Sequence, residues 1–136
     1  MPDSKALRIV AILFLLTAIE CVIEFFCSFT QNRIFIPFGI LGFFIYAGLP
    51  AYRRPWRTVA LILVWIPQIF MPLVALIAIF NGGDLYIDFL GYHIARVALP
   101  VFLLWLAFWW SINFWEFRVL MRPSIRARFL NVPTVV

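Results

Sequence analysis

Residues 7–31, LRIVAILFLLTAIECVIEFFCSFTQ, form a run that is long and apolar enough to cross a lipid bilayer as one α-helix. Two glutamates, Glu20 and Glu24, lie within it one helical turn apart. An ionised carboxylate in the hydrocarbon core costs roughly 2.5 kcal/mol or more, so both side chains should face other helices or a wet cavity. A turn of about 100° per residue places the polar residues of this run on one face. They are Thr17, Glu20, Glu24, Cys27, Ser28 and Gln31.

Three interpretations are open for this glutamate pair. The carboxylates fix the packing of helices through Arg or Tyr partners, or they bind a proton, a cation or a ligand, or one glutamate is exposed near the headgroups. Residue types alone do not separate a structural pair from a binding site, because both need the same inward orientation.

The composition indicates a polytopic membrane protein. Of 136 residues, 65% are hydrophobic and 12% are charged, and the mean hydropathy is +1.03. Soluble domains have about twice this charged fraction. The net charge of +5 comes from residues at the ends of the apolar runs, which argues against nucleic-acid binding. One histidine and two cysteines without a ligand spacing predict neither a metal nor a cofactor.

Four apolar runs predict an all-α integral membrane protein that forms a four-transmembrane-helix bundle. One domain is expected over residues 1–136, ending in a basic tail at residues 121–136. Short connections between the runs favour antiparallel neighbours. The predicted spans are residues 6–29, 34–52, 58–80 and 94–120.

Glycines and prolines lie inside the second and third spans. Gly39 and Gly42 would allow a close backbone approach, although their spacing is not the GxxxG pattern. Pro67 and Pro72 each remove a helical hydrogen bond beside Gln68. These prolines predict either a kinked helix that serves packing or a broken helix that lines a site.

The segment between the third and fourth spans is acidic and contains a polar face. Asp84 and Asp88 are one turn apart if residues 81–93 are helical, which predicts a short interfacial helix lying on the bilayer. A metal site formed by these aspartates with His93 is the less favoured alternative, since acids on a polar face are ordinarily solvated.

Lysines and arginines at the ends of the spans set the orientation. The N-terminal flank, the second loop and the C-terminal flank are basic, and the third loop has no basic residue. The positive-inside rule therefore places both termini in the cytoplasm, with a bacterial inner membrane as the expected location.

This topology predicts a polar cluster on the outer side of the bundle. Candidate ion- or ligand-binding residues are Glu20, Glu24, Gln68, His93 and Arg96. Arg33, Asp84 and Asp88 are expected around its rim.

The favoured function is a non-catalytic accessory or assembly subunit of a larger membrane complex. Aromatic side chains make up 19% of the chain and are frequent on the fourth span, where they suit contact with other helices or lipid. The expected partners are the bilayer and either other membrane subunits or further copies of this chain. The alternatives are an oligomeric proton- or cation-coupled transporter that uses Glu20 and Glu24, an enzyme acting on a lipid-linked substrate, and an immunity-type protein.

Overall fold

The computed structural model describes residues 2–30, 38–81, 85–90 and 92–131. In these ranges the chain forms five α-helices, a 3₁₀ turn at Phe38–Ile40 and one two-stranded hairpin. The helices are α1 (Asp3–Thr30), α2 (Leu41–Gly48), α3 (Arg54–Asn81), α4 (Leu99–Leu120) and α5 (Pro123–Asn131). The strands are β1 (Ile87–Phe89) and β2 (Tyr92–Ile94).

Two of these helices are long and apolar enough to cross a membrane. The qualifying segments are Asp3–Ser28 of α1 and Arg54–Phe80 of α3. At about 1.5 Å per residue each exceeds the roughly 30 Å of a hydrocarbon core. The first and third predicted spans fall inside α1 and α3, so the prediction of a helical protein with apolar, membrane-length helices is confirmed for these two elements.

The second predicted span is helical over a shorter range than expected. Its described part comprises the 3₁₀ turn and α2, which ends at Gly48, four residues before the predicted end. Pro50 follows two residues later, and Tyr52 adopts a left-handed φ of 52° that no helix continues. Residues 31–37, where this span was predicted to begin, lie outside the described residues.

The fourth helix begins at Leu99 and not at residue 94. Ala98 is extended (ψ 139°), and Pro100 occupies the first turn of α4, where a missing N–H costs nothing. Arg96 has a left-handed φ of 57°. The prediction that Arg96 lies in the first turns of this helix is therefore wrong, and Arg96 belongs to the connection that precedes it.

The predicted interfacial helix between the third and fourth spans is also wrong. The described residues of this segment form an antiparallel hairpin, in which Ile87 pairs with Ile94 and Phe89 with Tyr92. β-branched and aromatic side chains dominate both strands and favour extended backbone over helix. Leu90, at the turn, has a φ of 50°, as short hairpin turns require.

Each long helix packs against the same three helices. Both α1 and α3 contact α2, α4 and α5. Gly42 permits the closest α1–α2 approach, because a Cβ at this position would collide with the carbonyl oxygen of Phe14 and lie 3.0 Å from the Ala18 Cβ. The close approach predicted for Gly39 and Gly42 is therefore confirmed.

The hydrophobic core lies at one end of the bundle, which we call the basic end. Here the Asp3 carboxylate is 3.3 Å from Arg122 Nη1, so the start of α1 meets the end of α4. The opposite end carries the hairpin and is called the hairpin end. Thirteen buried residues form the core cluster at the basic end: Ala6, Leu7, Val10, Ala11, Phe14, Ile45, Leu49, Ala60, Val64, Val119, Leu120, Ile125 and Phe129.

The basic tail folds back onto this core. Ile125 and Phe129 lie one turn apart on α5 and are only 1% and 2% exposed. The ring of Phe129 makes an edge contact with Tyr52 at 5.4 Å. The apolar face of α5 therefore packs against the core of the protein. The arginines of α5 lie around the rim of the basic end.

Candidate functional site

The hairpin brings its turn to the first glutamate of α1. Glu20 is half-buried, and its carboxylate interacts with the backbone of Leu90 as a hydrogen-bond acceptor. Phe89, next to this turn, contacts the ring of Trp105 edge-to-face at 5.4 Å. Because Trp105 lies on α4, the hairpin contacts both α1 and α4.

The base of the hairpin holds the other candidates of this end. The Val97 N–H donates to the Leu85 carbonyl at 2.9 Å and closes the hairpin below its strands. His93 pairs with Asp88 in the strand register, and its ring lies 5.1 Å from that of Tyr86. His93 and Arg96 are both exposed. The structure thus places Glu20, His93 and Arg96 at the hairpin end, with Glu20 against the turn.

The second glutamate lies one turn further along α1. Glu24 is half-buried and shares the polar face of Glu20. Of the predicted rim residues, Arg33 and Asp84 lie outside the described residues, and so does the side chain of Asp88. Their place around the cluster, and the metal-site alternative that uses both aspartates, stay predictions.

Gln68 is directed towards α4. Its Nε2 donates to the Trp110 carbonyl at 3.5 Å, which links the middle of α3 to the middle of α4. The helix α3 runs from Arg54 to Asn81 with Pro67 and Pro72 inside it. The structure therefore favours the continuous helix over the broken one, and the Gln68 amide lies at the α3–α4 seam.

An apolar groove follows the same seam towards the hairpin end. It encloses about 200 Å³ and is open on one side. Stacked aromatic rings flank it, since Trp110 lies 5.5 Å from Phe114 with nearly parallel planes. The alanine and proline side chains in its lining make this groove shallow. Its lining residues are Met71, Pro72, Ala75, Leu103, Leu106, Ala107 and Trp110.

Arginines close the helix ends at the basic end. Arg57 donates through Nε and Nη2 to the Leu120 carbonyl at 3.1 and 3.0 Å. Arg54 donates through Nε to the Phe129 carbonyl at 2.8 Å and through Nη2 to that of Leu130. These carbonyls end α4 and α5 and have no intrahelical donor, so each guanidinium caps a helix C-terminus.

One arginine of this end is paired with a tyrosine. Arg128 Nη1 donates to the Tyr52 hydroxyl at 3.1 Å, and its Cζ lies 5.9 Å from the centre of the Tyr52 ring. This hydrogen bond raises the pKa of the Arg128 guanidinium above its ordinary value. The contact fixes α5 to the loop that precedes α3.

A buried acid on α4 was not predicted from the sequence. Glu116 is 6% exposed and lies on α4 beside the core residues Val119 and Leu120. The burial of Glu116 was difficult to predict, because a glutamate two residues before Arg118 and near a helix end is ordinarily solvated. Its spacing of three and four residues from Val119 and Leu120 does place it on the inward face of α4.

Comparisons of this chain with protein-family models, with curated proteins and with solved structures found no match. The candidate sites are therefore the hairpin contact at Glu20, the groove between α3 and α4, and the arginines of the basic end. Each is defined by the geometry of this chain.

Proposed function

We propose that the protein crosses the bilayer four times, with its basic end in the cytoplasm. All of its 11 basic residues except Arg33 and Arg96 belong to segments at the basic end. This asymmetry supports the orientation, since cytoplasmic flanks are enriched in Lys and Arg. The contacts from Asp3 to Arg122 and from Arg54 to Phe129 support one shared face for the N-terminus, the loop before α3 and the tail.

Within the membrane, the proposed role is that of a non-catalytic subunit that binds a transmembrane helix of a larger complex. The groove between α3 and α4 carries this proposal. Burial of apolar area alone gives little free energy of helix association in a bilayer, because the lipid tails are equally apolar. Small residues such as Ala75 and Ala107 allow a foreign helix to approach closely. The Gln68 amide at the same seam offers a hydrogen bond to such a helix.

Filling the groove tests this role. Ala107→Leu places a branched side chain in the groove, and Ala47→Leu makes the same change on an exposed position of α2. Tagged variants are purified in a mild detergent, and co-purifying proteins are quantified by mass spectrometry. We expect the wild type and Ala47→Leu to retain one partner in constant ratio and Ala107→Leu to lose it. Purification of the wild type alone, or full retention by Ala107→Leu, contradicts the subunit role.

A proton- or cation-coupled transporter is the second candidate, and one contact favours it. Glu20 is half-buried, and its carboxylate accepts a hydrogen bond from the backbone of the hairpin turn, an arrangement that suits an acidic site with a movable cover. Proteoliposomes loaded with the pH dye pyranine separate the two roles. A transporter gives a proton flux above that of empty vesicles, and Glu20→Gln abolishes it. A subunit gives no flux in either form.

A further inference from the structure

The hairpin has one apolar face. Residues that pair directly across antiparallel strands point to the same face of a sheet. The cross-strand pairs Ile87–Ile94 and Phe89–Tyr92 therefore share one face, which we call the apolar face. His93 alternates with Tyr92 and Ile94 along β2 and so points to the opposite face. The hairpin is thus amphipathic, although it has only two strands.

The bundle covers one half of this apolar face. On β1, Ile87 is only 8% exposed, and the ring of Phe89 contacts that of Trp105 on α4 at 5.4 Å. On β2, by contrast, Tyr92 is 76% exposed and Ile94 is 54% exposed. The β1 half therefore packs against the bundle, and the β2 half extends beyond its edge with the same orientation.

The position of the hairpin determines what surrounds this exposed half. Trp105 lies in the second turn of α4, so the apolar face meets α4 near the level at which the proposed span reaches the outer headgroups. Beside a spanning helix at that level, an exposed side chain contacts lipid. Tyrosine favours the headgroup boundary, and isoleucine favours the acyl chains. Arg96 is exposed directly after β2, and its positive charge complements that of lipid phosphates.

We propose that the hairpin rests on the outer leaflet of the bilayer, with Tyr92 among the lipid headgroups and Ile94 against the upper acyl chains. This proposal rests on the proposed four-span location but not on the docking of a partner in the groove. The segment between α3 and α4 is then a surface anchor that holds the outer ends of both helices at a fixed depth.

The test measures how close single positions lie to lipid. In a background with Cys21→Ala and Cys27→Ser, the variants Ile94→Cys, His93→Cys and Ile77→Cys are each labelled with a nitrobenzoxadiazole fluorophore. The purified proteins are reconstituted in phosphatidylcholine vesicles, with or without a phosphatidylcholine that carries a nitroxide quencher near the top of one acyl chain.

Two of these positions serve as controls. His93 is the sequence neighbour of Ile94 on the opposite face of β2, so it is matched in depth along the strand. Ile77 is 50% exposed on α3 and reports on the proposed span itself. All three side chains are exposed, so the labels leave the core intact.

We expect the nitroxide to quench Ile94→Cys at least about threefold more than His93→Cys, because the apolar side of an interfacial element is buried about 5–10 Å into the boundary between headgroups and acyl chains. Ile77→Cys should be quenched strongly, since α3 crosses the acyl region.

Three results overturn the proposal. Equal quenching of Ile94→Cys and His93→Cys shows that the hairpin does not direct one face to lipid. Weak quenching of Ile94→Cys beside strong quenching of Ile77→Cys rejects the lipid contact alone, and disulfide-linked dimers of unlabelled Ile94→Cys would then identify a second copy of the chain as the cover. Weak quenching of all three variants rejects the proposed membrane location as well.

Discussion

The Asp3 carboxylate and the Arg122 guanidinium lie 3.3 Å apart, although their positions in the sequence differ by 119. Both side chains are partly exposed, so the pair itself contributes little to stability. This ion pair shows that the first turn of α1 and the junction of α4 with α5 meet at one end of the bundle.

Arg54 should hold α5 against the bundle. Arg54→Lys keeps the charge but loses the fork that reaches the carbonyls of Phe129 and Leu130 together. We expect trypsin to cleave after Arg126 and Arg128 several times faster in this variant, because the docked helix opens more often. Arg53→Lys, at the exposed neighbouring position, is the control and should be cleaved at the wild-type rate. Equal cleavage of both variants contradicts the capping role.

Phe129 should anchor the same helix through burial. It is 2% exposed, and truncation of a buried Phe to Ala typically costs about 3–5 kcal/mol. A loss of this size should undock α5 and remove hydrogen-exchange protection from its amides. Leu130→Ala, which shortens a side chain that is 54% exposed, should leave this protection in place. If hydrogen exchange is unchanged in Phe129→Ala, the arginine contacts alone hold α5 against the core.

Gly42 should be intolerant of any side chain. Gly42→Val directs a Cβ into the Phe14 carbonyl of α1, so the two helices must separate. We expect a loss of about 1–3 kcal/mol, measured as a lower melting temperature in detergent. Ala47→Val introduces the same residue on an exposed position of α2 and should melt with the wild type. Matching melting curves for the two variants refute the close α1–α2 contact.

Glu20 should fix the hairpin turn. Glu20→Gln weakens the acceptor that faces the Leu90 backbone, so the Leu90 amide should exchange faster with solvent. Glu24→Gln, one turn further along α1, serves as the matched change and should leave this amide protected. If both variants exchange alike, the turn is held by Phe89 and Trp105 and not by Glu20.

The sequence was most informative where one physical requirement dominates. Long apolar runs must hydrogen-bond their own backbone in a bilayer, so the first and third spans were predicted to within a few residues of α1 and α3. The start of α4 was missed because the apolar run begins before the helix does. Pro100 marks the start correctly, since proline favours the first helical turn.

The hairpin was missed because the spacing of two aspartates was given more weight than the residues between them. Asp84 and Asp88 fit a helical face, but Ile87, Phe89 and Tyr92 favour strands on either side of a turn. The helix that carries Glu20 was predicted from its apolar run. The contact of Glu20 with Leu90 could not be predicted, because it depends on how the hairpin folds back onto α1.

Labelling from each side of the membrane tests the central claim most directly. In a background with Cys21→Ala and Cys27→Ser, single cysteines replace Ser4, Ser124 or Tyr92, and a membrane-impermeant maleimide is added to spheroplasts or to inside-out vesicles. We predict that Ser4→Cys and Ser124→Cys react only in inside-out vesicles and that Tyr92→Cys reacts only in spheroplasts. Reaction of Ser4→Cys and Ser124→Cys from opposite sides, or of Tyr92→Cys from the same side as both, contradicts the four-span account.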